Sequence, residues 1–167
     1  MVELTQKERL QPSLLDRLTD DEPEKIHESR EQRSFSLSKL RGCVLRDLAW
    51  LLNTSRLELV QDFEGCLLAE HSVINYGIPC LTGSSASGVN AAAIEQNVKQ
   101  AIWDFEPRIL RDSLRVKISV SEEKMSHNTM TFDIEGYLWA QPLPLHLYLK
   151  TELDIELGSI SIKDMGG

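Results

Sequence analysis

The sequence lacks several features that would assign a function class at once. No apolar run approaches the ~20 residues that a membrane helix needs. Charged residues begin at Glu3, which is unlike a secretory leader. The chain carries 18 Lys and Arg against 26 Asp and Glu, for a net charge of −8, and no basic cluster interrupts this excess. Because phosphate binding needs a basic stripe, nucleic acid is not an expected partner.

Cysteine is also scarce and arranged without an obvious pairing. Cys43, Cys66 and Cys80 are odd in number and widely spaced, which indicates reduced thiols in a cytoplasmic protein. Cys66 lies near His71, but two possible ligands without a second pair make a weak metal site. We therefore expect neither a metal nor a cofactor.

The glycine- and serine-rich stretch 81–90 imitates two catalytic motifs and completes neither. Gly83 and Gly88 have the spacing of a phosphate-binding loop, but the lysine that must follow is replaced by Val89. A nucleophile elbow around Ser85 would need glycine at position 87, which is serine. The stretch is predicted to be a flexible loop.

Two amphipathic helices are predicted where apolar residues recur at three- and four-residue steps. The first begins after Ser36, a suitable N-cap, and ends near Asn53. The second begins after Asn90 and stops before Pro107, because proline disfavours the helical conformation of the preceding residue.

Alternating apolar residues predict strands at 114–120, 130–139 and 143–157. The last is far longer than the usual ~5–6 residues, so we expect part of it to extend beyond the core sheet. The predicted fold class is α+β, with a small, mainly antiparallel sheet of about three to four strands packed against the two main helices.

The charged residues 1–35 are predicted to form a flexible N-terminal arm, and 36–167 a single domain. Within the arm, Leu14, Leu15 and Leu18 share one side of a helical turn. Three leucines cannot bury themselves alone, so they dock either on the domain or on a partner, and both alternatives stay open.

The tryptophans lie off the main apolar faces of their elements. Trp50 and Trp103 point away from the apolar stripes of the two helices, and Trp139 shares the second sheet face with Tyr137. They belong either to a two-sided core or to an aromatic patch that binds a partner.

Glu106-Pro107-Arg108 joins the second helix to the first strand and allows three interpretations. It is a catalytic acid, with Asp133 or Glu135 as the second carboxylate of a muramidase; a helix stop that ties the helix end to its own domain; or a clamp for another protein. Arg108 lies close enough to favour the charged form of Glu106, which disfavours the acid.

Four motifs occur in a specific order along the chain. They are PSLLDRL at 12–18, LRDLAWLLNT at 45–54, SVINYGIPCLTG at 72–83 and FEPRI at 105–109. In this order they resemble the TssE family of type VI secretion baseplate subunits, which is related to phage baseplate wedge proteins once labelled lysozyme-like. The resemblance implies a structural, non-enzymatic protein of the bacterial cytoplasm, at a baseplate docked on the inner membrane.

The resemblance also implies partners. The Glu106-Pro107-Arg108 motif would contact the helical core bundle of the wedge subunits TssF, TssG and TssK. The protein would also help to initiate the sheath of TssB and TssC, whose strands join one sheet across subunits. The strand 143–157, with Leu149, Leu153 and Ile155, suits that second role if one of its edges is unpaired. Trp103 and Trp139 complete the predicted partner-binding residues.

Overall fold

A computed structural model describes residues 13–19, 23–24, 36–59, 63–79, 91–119, 129–140, 144–154 and 159–165. The described helices are α1 (Leu14–Leu18), α2 (Leu37–Leu52), α3 (Leu67–Glu70) and α4 (Ala91–Phe105). The described strands are β1 (Arg115–Ser119), β2 (Thr129–Leu138), β3 (Leu145–Asp154) and β4 (Ser159–Asp164). The predicted loop at 81–90 and most of the predicted arm lie outside these ranges.

The strands form an antiparallel meander in the order β1-β2-β3-β4. Ile134 faces Leu149 across the centre of the sheet, and Phe132 faces Thr151, so both strands turn the same alternate residues to the core. The α+β prediction is confirmed, including a sheet of four strands in the described part of the chain.

One feature of the predicted sheet is wrong. Within the predicted strand 143–157 the structure describes β3 from Leu145 to Asp154, and a separate strand, β4, pairs back against it. β3 is therefore paired on both sides from Leu149 to Asp154, and the unpaired edge expected for it is absent from that described stretch. Leu149 and Leu153 are 0% and 1% exposed, so their side chains fill the core and offer no surface to a partner. Ile155 lies outside the described residues.

The two long helices cover one face of the sheet. α4 packs against β1, α2 packs against β4, and the helices contact each other. Leu48 and Ile102 are fully buried between the layers, together with Phe132 and Leu147 of the sheet. Burial on one helical stripe and one sheet face is the pattern expected of a two-layer domain.

The predicted ends of α2 are confirmed in detail. The Ser36 hydroxyl accepts a hydrogen bond from Lys39 N at 3.0 Å, and Asn53 follows the last turn. No helix within the described ranges is long and apolar enough to cross a membrane.

Residues 53–59 and 63–79 form short helical turns without a regular period. Asn75 is completely buried and pins this segment: its amide oxygen accepts from Glu58 N, and its amide nitrogen donates to Glu70 O. Gly77 has φ +128°, and a Cβ there would lie 2.3 Å from Thr54 O. The turn therefore requires glycine.

Candidate functional site: an acid–base cluster beside an apolar cleft

The Glu106-Pro107-Arg108 motif is held between a helix end and the end of a strand. α4 stops at Phe105, and Glu106 N still donates to Ile102 O at 2.9 Å. The chain then runs antiparallel to the end of β2, where Trp139 N donates to Arg108 O at 2.7 Å. Helix and sheet thus fix the backbone on both sides of Pro107.

Arg108 folds back onto two carboxylates of its own chain. Its Nε donates to Glu106 Oε1 at 2.6 Å, and its Nη2 donates to Glu106 Oε2 and to Asp47 Oδ2, each at 2.5 Å. Arg108 N also donates to Glu106 Oε1 at 3.1 Å. The Glu106 side chain is only 3% exposed, so this pairing satisfies a buried charge.

Arg46 extends the ion pairs to the N-terminal helix. Its Nε and Nη2 both donate to Asp47 Oδ1, at 2.9 and 2.7 Å, and its Nη1 donates to Asp16 Oδ1 at 2.7 Å. Ser13, the N-cap of α1, donates to Asp16 Oδ2 at 2.6 Å. Asp16, Arg46, Asp47, Arg108 and Glu106 form a chain of alternating charge, which we call the acid–base cluster.

Contacts within the cluster shift the pKa values of Asp16 and Arg108. Burial would raise the pKa of Asp16, but hydrogen bonds from Ser13, Arg46 and Cys43 outweigh it and lower that pKa to about 2. Burial opposes the charged form of Arg108, yet Glu106 and Asp47 raise its pKa above the ordinary value. Asp16 and Arg108 are therefore charged at neutral pH.

An open cleft of about 540 Å³ lies beside the cluster. Its floor and walls are mainly apolar, and Tyr76 and Phe105 meet edge to face there with ring centroids 5.1 Å apart. Leu15 and Trp50 form part of the lining and are 46% and 51% exposed. Arg46 stacks over the Trp50 ring at 5.0 Å, which joins the cleft to the acid–base cluster.

The leucines of α1 remain largely in solvent. Leu14 and Leu18 are 69% and 75% exposed, while Asp16 on the same short helix is the residue that ties it to α2. The helical turn predicted from the sequence is confirmed, but an ion pair rather than leucine packing attaches it to the domain. Leu15 of the same helix lines the cleft with Trp50, so α1 adds exposed apolar surface there.

The other two tryptophans lie in different surroundings. Trp103 is partly buried on α4 with Lys99 Nζ 4.8 Å above its ring. Trp139 follows β2 and is 50% exposed, on the sheet face that Tyr137 shares. Neither lines the cleft, so the structure does not bring the predicted partner-binding residues into one patch.

The geometry of Glu106 does not suit a catalytic acid. Both of its oxygens accept hydrogen bonds from Arg108, and its side chain is nearly inaccessible. Among the residues that line the cleft, the other carboxylate is Asp47, which is likewise occupied by Arg46 and Arg108. Glu135 instead pairs with His146 on the sheet at 3.1 Å. A pair of carboxylates open to a sugar substrate is absent from the described cleft.

Comparison with known proteins agrees with a structural role. The family model for the baseplate wedge protein gp25 matches residues 38–143, which is more than half of the chain. The chain belongs to the gp25 baseplate wedge family. Searches of curated proteins and of solved structures return no match.

The gp25 match begins at the first turn of α2 and ends between β2 and β3. It includes four of the five cluster residues, and Asp16 on α1 lies outside it. Sequence reasoning singled out Glu106 and Arg108 but not Asp47 or Arg46. The signal for them was the adjacent opposite charges of Arg46 and Asp47 inside the LRDLAWLLNT motif, where the other residues of the helix are apolar.

Proposed function

We propose that the protein is the TssE-type wedge subunit of a type VI secretion baseplate, in the bacterial cytoplasm at the inner membrane. The observation that carries the proposal is the apolar cleft beside the acid–base cluster in a chain of the gp25 wedge family. Its partners at this surface are the wedge subunits TssF, TssG and TssK.

The cleft is suited to an amphipathic helix of such a partner. Apolar side chains of that helix would cover Leu15, Trp50 and Pro107, which line the cleft and are exposed to solvent. Arg108 Nη1 is buried and has no hydrogen-bond partner within the described residues, so docking would have to turn the guanidinium outward before a carbonyl or carboxylate of the partner could satisfy it. On this view the cluster shapes the rim of the cleft, and Glu106 holds Arg108 in place for docking.

The protein is also proposed to help initiate the sheath of TssB and TssC. In the described part of the chain, the outer sides of β1 and β4 are the edges of the sheet. An extended segment of a sheath subunit could continue the sheet there through backbone hydrogen bonds.

The cleft hypothesis is tested by capture of the wedge subunits with two matched variants. Tagged wild type, Trp50→Glu and Trp139→Glu are co-expressed with TssF, TssG and TssK, and each is melted in isolation. Both tryptophans are about half exposed, so neither change should lower Tm much. We expect Trp50→Glu to lose capture, because a buried carboxylate in the interface lacks a partner, and Trp139→Glu to retain it.

Each alternative outcome has a defined meaning. Retained capture by Trp50→Glu would refute the cleft as the wedge surface. Loss of capture with Trp139→Glu alone would assign the wedge surface to the outer sheet face, where Trp139 was predicted to bind a partner. Trp103→Ala extends the comparison to the remaining predicted residue.

A further inference from the structure

Both edges of the sheet are closed by side chains from the helices. On β1, Ile118 N donates to Glu95 Oε1 of α4 at 2.8 Å instead of to another strand. On β4, the Asn53 side chain accepts from Ile160 N at 2.8 Å and donates to Ile160 O at 2.9 Å. These side chains occupy backbone groups that an added strand would use.

The two closures differ in strength. Asn53 reproduces both hydrogen bonds that a neighbouring strand residue would make to Ile160. The far end of β4 is tied to α2 as well, because Arg41 forms an ion pair with Asp164. On β1 the described closure is a single hydrogen bond from one carboxylate, so an incoming strand has less to displace.

The register identifies which groups of β1 face outward. Because Ile118 N points to Glu95 and not to β2, the alternation of a strand places the backbone N–H and C=O of Val116 on the same outer side. Beside this edge lies a groove of about 460 Å³ between α4 and β1. The outer groups of Val116 thus lie beside this groove, and those of Ile118 continue the same edge.

The charges around the groove indicate what kind of segment would bind at this edge. The groove is lined by Lys99, Arg115 and Lys117 against the single carboxylate of Glu95, in a protein whose net charge is −8. Lys99 lies four residues after Glu95 on α4, so the Glu95 carboxylate, once displaced from Ile118 N, can form an ion pair with Lys99. An incoming strand with acidic side chains would then face Arg115 and Lys117.

We propose that the β1 edge accepts an extended acidic segment of another polypeptide, and that Glu95 is the gate which this segment must displace. The inference deepens the proposed role in sheath initiation and depends on it only for the identity of the partner. On this proposal, strand addition takes place at β1 and not at β4. Glu95 has the further effect of keeping copies of the protein from pairing edge to edge.

The first test is an NMR titration of the full chain with three nine-residue peptides. In one peptide valine alternates with glutamate, in the second it alternates with lysine, and in the third the central valine of the glutamate peptide is proline. We expect the glutamate peptide to shift the amides of Val116 and Ile118 while Ile162 of β4 is unaffected. The lysine and proline peptides should bind more weakly, through charge repulsion and a missing backbone donor respectively.

Variants separate the gate from the groove. Glu95→Ala removes the competing hydrogen bond and should strengthen peptide binding by roughly tenfold, the usual scale for a bond to a charged group. Lys117→Glu should weaken it, and Asn97→Ala, on α4 but outside the lining of the groove, should leave it unchanged. An unchanged affinity in Glu95→Ala, shifts on β4, or no binding by the glutamate peptide would overturn the proposal.

Two further readouts distinguish this proposal from the proposed function. If the β1 edge binds the peptide as expected but neither Glu95→Ala nor Lys117→Glu alters assembly of co-expressed TssB and TssC, the strand site stands and the sheath role fails. If Glu95→Ala forms a dimer at increasing concentration that excess glutamate peptide does not dissociate, the edge belongs to a second copy, which would overturn the acidic segment as its occupant.

Discussion

Removal of Arg108 is the perturbation whose effect follows most directly from the structure. Arg108→Ala deletes three charge-assisted hydrogen bonds and leaves the Glu106 carboxylate, 3% exposed, without its cation. Breaking a buried pair by removing one partner costs ~3–5 kcal/mol. Because the Arg108 and Asp47 side chains are each 22% exposed, solvent screens part of this loss, and we expect the lower end, about 3 kcal/mol.

The assay is thermal and urea unfolding of the isolated protein. For a chain of this size ~1 kcal/mol corresponds to about 2–4 °C, so Tm should fall by roughly 6–12 °C. Adding Glu106→Gln to Arg108→Ala removes the stranded charge and should recover about 1–2 kcal/mol, a non-additive result. The matched control is Arg115→Ala, an exposed arginine that forms no ion pair in the described part of the chain, with an expected change within ~0.5 kcal/mol.

Two results would refute this reasoning. One is an Arg108→Ala variant that unfolds within about 0.5 kcal/mol of wild type, since the cluster would then contribute nothing to the fold. The other is a double variant less stable than Arg108→Ala alone, since the stranded carboxylate would then not be the cause. The first outcome would return Arg108 to the role of a clamp for a partner alone, and the second would assign its stabilising effect to contacts other than the pairing with Glu106.

Three further outcomes are expected. Gly77→Ala should destabilise the fold by about 3 kcal/mol in urea unfolding, because its Cβ would strike Thr54 O, whereas Gly65→Ala, with open space around it, should cost only about 1 kcal/mol. The pKa of Asp16 is about 2 in the folded protein, against an ordinary value of 3.8, so its contribution to stability is present above pH 4 and is lost as pH falls towards 2. Carboxyl NMR should show that Asp16 titrates at this low pH. Asp16→Asn should remove this part of the pH dependence of stability. Asn75→Ala removes the partner of the part-buried Glu58 N and leaves a cavity where the buried amide was, and it should cost about 2 kcal/mol in the same unfolding assay.

Local patterns predicted the helices and the central strands well. The N-cap of α2 and the stop before Pro107 depend on neighbouring residues, and so they could be recognised without tertiary contacts. β4 was missed because SISIK near the end of the chain has only two large apolar residues, and Ile160 is buried through pairing with Leu153 of β3. That pairing is set by register and not by composition.

The site was predicted only in part for a similar reason. Glu106 and Arg108 lie within one motif, but Asp47 lies 61 residues from Arg108 in sequence and reaches it only when α2 packs beside the end of α4. Asp16 joins the cluster only through its hydrogen bond with Arg46, which is 30 residues away in sequence. The tryptophans show the same limit of sequence reasoning. Trp50 and Trp139 both lie off the main apolar face of their element in sequence, yet of the two only Trp50 lines the cleft.

The sequence by itself determined the α+β class, the two long helices and the joint at Pro107, because periodicity, caps and proline geometry act over a few residues. Only the tertiary structure decided that β3 is an interior strand, that Arg108 binds Asp47 and Glu106 of its own chain, and that helix side chains close both sheet edges. These features depend on which distant groups meet, and that is fixed by the packing of α2 and α4 on the sheet.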